Sequence, residues 1–276
     1  MKFKERIIIG CGFPKSGSTY ISDILFEHPE IDNKNPKEVL YFNKNFNKGE
    51  SWYLSHFTND DRYKIDFTPH YIFDQNFISR LKEFNENIKI IVIVRDPVKK
   101  LYSDYKHSIR KAEISEKIEF EEFLKIQKYF DEANYSKYLE KLFLHFDHKN
   151  IKLFSLENFI ENPTYSYSEL CKFIGISSTF IPPNINKPSN TGKEYRFLFI
   201  ENIMTVFSKF LNNHGYGKLI EILKRLGIAR FVRTLNYKSE ISNEGIDLKT
   251  EKIIKEKLKS SNNFLKIASK GSIDYS

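Results

Sequence analysis

Apolar residues fall along this chain in two alternating patterns: short β-branched runs, and longer stretches in which apolar positions recur every three or four residues. The first pattern predicts strands over residues 6–11, 63–67, 89–94 and 150–155. The third run, Ile90-Ile91-Val92-Ile93-Val94, is apolar on both faces, as a strand in the middle of a parallel sheet must be. The second pattern predicts helices over 19–27, 74–84, 97–111, 120–130, 135–146 and 165–174. Strands and helices alternating at this spacing give an α/β fold, a parallel sheet covered by crossover helices. Between 197 and 233 the sequence turns helical and basic, with Phe207, Phe210, Leu211, Leu219, Ile222 and Leu223 on one stripe. A helical pair packed on the sheet edge accounts for that stripe more simply than a helix lying on a membrane. Pro182-Pro183 to Gly192 is the clearest long loop, and no internal repeat is present.

Composition narrows the class without choosing a ligand. The 276 residues, 40% hydrophobic and 15% aromatic, suffice for one large domain or two small ones of ordinary globular character. The net charge of +8 suits an anionic ligand, although a Lys-, Asn- and Ile-rich background explains the excess equally well. Only Cys11 and Cys171 occur, so cysteine builds neither a disulfide framework nor a metal cluster. With the first apolar run, Ile7-Ile8-Ile9, too short for a signal segment or a membrane span, a reducing, cytoplasmic setting is expected.

The segment Ile7-Ile8-Ile9-Gly10-Cys11-Gly12-Phe13-Pro14-Lys15-Ser16-Gly17-Ser18-Thr19 is a strand, a glycine-rich turn and a helix start, in that order. Amide groups at a helix start lack intrahelical acceptors and sit at the positive end of its dipole, so they bind anions. Gly12 and Gly17 keep the spacing of a Walker A loop, but Ser18 stands where that loop has its lysine, and Lys15 lies inside the turn instead. The displacement argues against a Mg-ATP enzyme and for a loop gripping a phosphate ester. Downstream, Arg95 closes the central strand, and Ser103 follows eight residues later on the next helix. Open α/β sheets bind ligands at the carboxyl ends of their strands, where a guanidinium can take a phosphate through two bonds. The simpler use of Arg95-Asp96-Pro97 is an internal ion pair and a helix start.

Together, Phe13-Pro14-Lys15-Ser16-Gly17-Ser18-Thr19 and Val94-Arg95-Asp96-Pro97 with Ser103-Asp104-Tyr105 resemble the sulfotransferase family. Lys37-Glu38-Val39-Leu40-Tyr41-Phe42, Trp52-Tyr53-Leu54-Ser55 and Thr68-Pro69-His70-Tyr71 are similar to motifs of the glycosaminoglycan members, the heparan sulfate O- and N-sulfotransferases. Ser155-Leu156-Glu157-Asn158-Phe159, Phe173-Ile174-Gly175-Ile176 and the tail from Leu258 to Ser276 keep the family's order more weakly.

The resemblance implies a single sulfotransferase domain over 1–276, with 197–247 a helical insertion, built on a P-loop-like parallel sheet with additional C-terminal helices. It implies 3′-phosphoadenosine 5′-phosphosulfate (PAPS) as donor, no metal, and an acceptor that is a glycan or a small-molecule hydroxyl or amine. Nucleic acid is not expected as a partner, and the oligomeric state is not set. Pro14, Lys15, Ser16, Gly17, Ser18 and Thr19 would line the 5′-phosphosulfate, with Lys15 stabilising the departing phosphate. Arg95 and Ser103 would hold the 3′-phosphate, and Lys187 and Lys193, in a polar loop that is equally well only solvated, would be secondary ligands. Glu38 matches the family's general base, with His70 a second candidate. The chain departs from the glycosaminoglycan enzymes at Leu40, Asn43 and Phe67, where those enzymes carry His, Asp and Lys. The donor site is therefore better matched than the acceptor site. A divergent P-loop kinase and a non-catalytic nucleotide- or polyanion-binding protein are the competing classes.

Overall fold

A computed structural model describes residues 2–111, 113–115, 117–187, 194–195, 237–238 and 246–269. Its centre is a four-stranded parallel sheet of β1 (Ile7–Gly12), β2 (Lys64–Phe67), β3 (Lys89–Val94) and β4 (Ile151–Ser155), in the order β2-β1-β3-β4. β1 and β3 are both internal. Every residue of β1 is buried, and β3 is buried from Ile90 on, as their apolar runs require. The register pairs Gly10 with Ile91 and Gly12 with Ile93, so both strands end together at one edge.

Four helices frame the sheet around the site, on both of its faces. α1 (Ser18–Phe26) follows the glycine-rich turn, α2 (Phe77–Phe84) precedes β3, α3 (Pro97–Arg110) follows β3, and α4 (Tyr135–His145) packs toward the turn. α5 (Leu156–Glu161) and α6 (Pro163–Ile174) follow β4. One apolar layer joins Ile7, Ile9 and Val92 to Phe42, Tyr71 and Leu139; the other joins Ile8, Ile91 and Ile93 to Ile21, Phe159 and Leu170.

The predicted helix over 120–130 is broken into Phe120–Phe123 and Gln127–Ala133, with Ile126 extended at φ −77° and ψ 98°. On a continuous helix the apolar stripe of Tyr129, Phe130 and Ala133 would lie roughly a third of a turn from that of Phe120, Phe123 and Leu124. The break lets both stripes face Val98 and Leu101. The predicted helix over 74–84 starts only at Phe77, because Asp74 spends its carboxylate on the Asn76 N–H at 2.9 Å. α6 begins two residues ahead of its predicted start, with Pro163 in its first turn.

After the long segment the chain returns as α7 (Leu248–Lys257) and α8 (Lys259–Ser269). Ile254 and Leu258 join the cluster on Val98 and Leu101, and Ser261 Oγ accepts the Tyr135 N–H at 2.7 Å. Glu194–Tyr195 and Tyr237–Lys238 form a short antiparallel ribbon. The basic helical stripe predicted between 197 and 233 lies outside the described residues, as does most of the loop ending at Gly192.

Candidate functional site

The turn between β1 and α1 carries the site. Gly12 at φ 136° and Gly17 at φ 87° take conformations closed to most side chains, and a Cβ on Gly17 would come 2.4 Å from Leu156 Cδ1. Lys15 is itself left-handed, at φ 67°. Lys15 and Leu40, at φ 58°, are the non-glycine residues with positive φ among those described, and both lie in segments singled out from sequence.

Arg95 pins the strained turn. Its Nη1 donates to the Lys15 carbonyl at 2.9 Å, while its Nε lies 4.0 Å from Glu157 Oε1. Asp96 does not pair with it; that carboxylate caps α3 through the Val98 and Lys99 amides, and the Asp96 N–H bonds Glu157 Oε1 at 3.1 Å. Tyr135 completes the arrangement: its hydroxyl donates to the Arg95 carbonyl at 2.8 Å and its ring lies 4.1 Å from Phe13. The helix-start role of Asp96-Pro97 and the anchoring role of Arg95 thus coexist in one short motif.

Lys15 is half-buried, and its pKa is lowered to about 8, first by burial and then by Arg110, with Lys111 adding and Asp104 and Glu113 opposing. His107 belongs to the same field. Burial first, and then Lys15, Arg110 and Lys111, lower its pKa to about 4. Ser103, His107 and Arg110 share one face of α3 at helical spacing; Arg110 supplies positive charge close to Lys15, and His107, with its lowered pKa, adds a neutral imidazole beside it. Asp104 lies beneath, bonded to buried Lys100 at 2.6 Å; burial raises its pKa against the pull of Lys100, Lys15 and Arg95. A concentrated, partly desolvated positive field at a helix start fits the phosphates of a nucleotide.

The Glu38 segment is laced to the end of β2. The Phe67 N–H donates to the Lys37 carbonyl at 2.8 Å, and the Val39 N–H to Asp66 Oδ1 at 3.2 Å. Tyr71 donates to Asp66 Oδ2 at 2.6 Å while accepting the Tyr41 N–H at 2.7 Å. Left-handed Leu40 then turns the chain into a π-helical stretch, Tyr41–Asn45, whose Tyr41 ring stacks on Tyr53 at 4.5 Å. The Trp52-Tyr53 motif is therefore packing that holds this segment.

Glu38 is exposed, 3.7 Å from Lys37 Nζ. His70 stands at the rim, its pKa lowered first by the surrounding protein, with Glu38 opposing and Lys44, Lys128 and Lys15 reinforcing. Lys15, Glu38 and His70 thus share one electrostatic neighbourhood. Pro14 and Ser16 lie in the turn with Lys15, and Ser18 and Thr19 open α1. Lys187 is exposed; Tyr20 donates to the Ile185 carbonyl and holds that turn against α1, but brings Lys187 to none of the site residues. Lys193 lies outside the described residues.

Lys37, His107, Arg110 and Lys111, which carry no site role in the sequence motifs, join the site in the structure. For the last three, the spacing from Ser103 along one helix carried the signal; for Lys37 only its adjacency to Glu38 did. Phe67 is fully buried across from Gly10, where a Cβ would come 2.4 Å from the Phe67 ring. Among the described residues, no group of three His, Cys, Asp or Glu forms a metal-ligand set.

The sulfotransferase domain model matches residues 4–191. The chain is 38% identical over 104 residues to the membrane-associated sulfotransferase kil1 of Dictyostelium discoideum, covering 36% of this chain and 22% of that protein. It is 26% identical over 182 residues to human heparan sulfate glucosamine 3-O-sulfotransferase 3B1, covering 62% of this chain and 46% of that protein. With the human 3-O-sulfotransferase 5 it shares 25% over 222 residues, covering 75% and 62%. The chain thus spans less than two thirds of each of these relatives. A sulfotransferase structure from Alicyclobacillus acidocaldarius superposes with a TM-score of 0.52 at 20% identity, over 65% of this chain and 86% of that one, which shows the fold.

Proposed function

The chain belongs to the sulfotransferase family, and from that membership we propose that it moves a sulfuryl group from PAPS to a hydroxyl or amine of a carbohydrate acceptor. The observation that carries this reading is the meeting of Lys15, Arg95 and the start of α1 at the adjacent ends of β1 and β3.

The donor, when bound, supplies a sulfuryl group on a phosphate leaving group. Lys15 and the amides of Gly17, Ser18 and Thr19 would offset the charge that grows on that phosphate as the sulfur–oxygen bond breaks. Arg95 and Ser103 would hold the 3′-phosphate, with Arg95 keeping the Lys15 carbonyl at the same time. Glu38 would accept the proton from the attacking oxygen or nitrogen. Such chemistry depends on positioning and charge stabilisation, which the pinned turn and the laced Glu38 segment supply.

A carbohydrate acceptor is supported by the heparan sulfate relatives. The heparan-like detail is not, because Phe67 is buried under Gly10 and Asn43 spends its carbonyl on the Lys44 N–H at 2.7 Å. The C-terminal helices rejoin the core through Ile254 and Leu258, which supports one domain interrupted by an insertion. The cytoplasmic placement stays part of the proposal, supported by the free, buried Cys11 and Cys171 and opposed by the name of the Dictyostelium relative. Among the described residues no helix is long and apolar enough to cross a membrane. Incubation with radiolabelled PAPS and a panel of neutral, amino and uronic-acid oligosaccharides tests the activity. Label should pass to at least one glycan and not in Lys15→Ala; transfer by that variant at the wild-type rate would refute the assignment.

A further inference from the structure

The Lys37 ammonium lies between the two halves of the site. Its Nζ donates to Thr19 Oγ1 at 3.0 Å and to Ser18 Oγ at 3.3 Å, the first two residues of α1, and stands 3.7 Å from Glu38 Oε1. The main chain cannot drift, because the Lys37 carbonyl accepts the Phe67 N–H at 2.8 Å. The side chain is 23% exposed, and burial lowers its pKa while Glu38 and Asp23 raise it. The Phe67 ring, standing where the resembling enzymes carry lysine, lies 6.0 Å from this ammonium.

The donor–acceptor balance gives the contact a direction. An ammonium has three protons and accepts none, so both hydroxyls act as acceptors toward Lys37. Each hydroxyl keeps its own proton, which must then point elsewhere. At the start of α1 an anion is the favourable recipient. The same ammonium faces the Glu38 carboxylate.

Resting on the sulfotransferase reading, we propose that Lys37 is a positioning residue that turns the Ser18 and Thr19 hydroxyls into donors toward the 5′-phosphate and holds Glu38 beside them. It links occupancy of the donor loop to the placement of the base. Because its Nζ already bonds the two hydroxyls, its effect is specific to the 5′ end of the nucleotide; the 3′-phosphate belongs to Arg95 and Ser103.

The test is calorimetric titration of wild type, Lys37→Met and Lys37→Arg with adenosine 3′,5′-bisphosphate and with adenosine 3′-phosphate, alongside kcat and KM for PAPS. Lys37→Met should weaken the bisphosphate about tenfold and leave the 3′-phosphate unchanged. It should lower kcat as well as raise KM, and Lys37→Arg should recover part of both. Equal bisphosphate affinity in wild type and Lys37→Met, or equal weakening of both nucleotides, overturns the proposal. A wild type that binds neither nucleotide defeats the sulfotransferase reading itself and the proposal with it. Should Lys37→Met not fold, Lys37→Gln, which keeps a shorter polar side chain but loses the ammonium, carries the same expectation for the two nucleotides.

Discussion

Replacing Asp66 with asparagine should remove a defined part of the pH dependence of folding. The Asp66 carboxylate is 0% exposed and accepts from Thr68 Oγ1 at 2.6 Å, from Tyr71 at 2.6 Å and from the Val39 N–H at 3.2 Å. Burial raises its pKa from 3.8 to about 6 against the lowering by those donors. A folded value above the unfolded one means that the protonated form favours the native state. The contribution is present in full below the unfolded pKa and is lost as pH rises through 6. The rise from 3.8 to about 6 corresponds to about 3 kcal/mol in all, of which about 1.4 kcal/mol falls between pH 5 and 7.5. Tyr53, Tyr71 and Cys11, which face this carboxylate, all have raised pKa values and do not titrate in that window. Urea unfolding at pH 5, 6, 7 and 7.5 for wild type and Asp66→Asn isolates the effect, since every other group is common to both. The variant curve should lack a decline of about 1.4 kcal/mol. Parallel curves would show that Asp66 is ionised throughout the window and that burial does not govern it.

Glu38→Gln should lower transfer by roughly 10²–10⁴-fold with bisphosphate affinity unchanged, as measured by turnover and calorimetry. If His70→Gln produces that loss and Glu38→Gln does not, the base is His70. Because burial and neighbouring cations lower the Lys15 pKa to about 8, bisphosphate affinity should fall as pH rises through that value. Flat affinity from pH 7 to about 9.5 would show that the Lys15 charge does not contribute to binding. Gly17→Ala forces a side chain onto φ 87° and against Leu156, and should cost roughly 1–2 kcal/mol in urea unfolding; unchanged stability would mean that the turn relaxes freely.

The strands and the donor half of the site were legible in the sequence because each rests on local chemistry. A buried parallel strand must be continuously apolar, and a phosphate turn must place glycine and lysine between a strand and a helix. Arg95 was found for the same reason, although its bond to the Lys15 carbonyl was not foreseen, since backbone acceptors leave no mark in side-chain identity. The acceptor half depends on long-range contacts. Nothing adjacent to Lys37 announces that its ammonium reaches Ser18 and Thr19, and nothing around Asp66 announces that it fastens the segment after Glu38. The break at Ile126 was missed because tertiary packing overrode local helical preference there, and left-handed Leu40 because nothing in a leucine announces a positive φ.

Thermal unfolding with adenosine 3′,5′-bisphosphate, beside 5′-AMP and Mg-ATP, tests the donor site most directly, in wild type and in Arg95→Ala, each against its own ligand-free baseline. At about 100 times its dissociation constant the bisphosphate should stabilise the wild type by roughly 2.7 kcal/mol, with a far smaller effect from 5′-AMP and Mg-ATP, and the gain should be lost in Arg95→Ala. Stabilisation by Mg-ATP in its place, or by none of the three, would contradict a PAPS site at this turn.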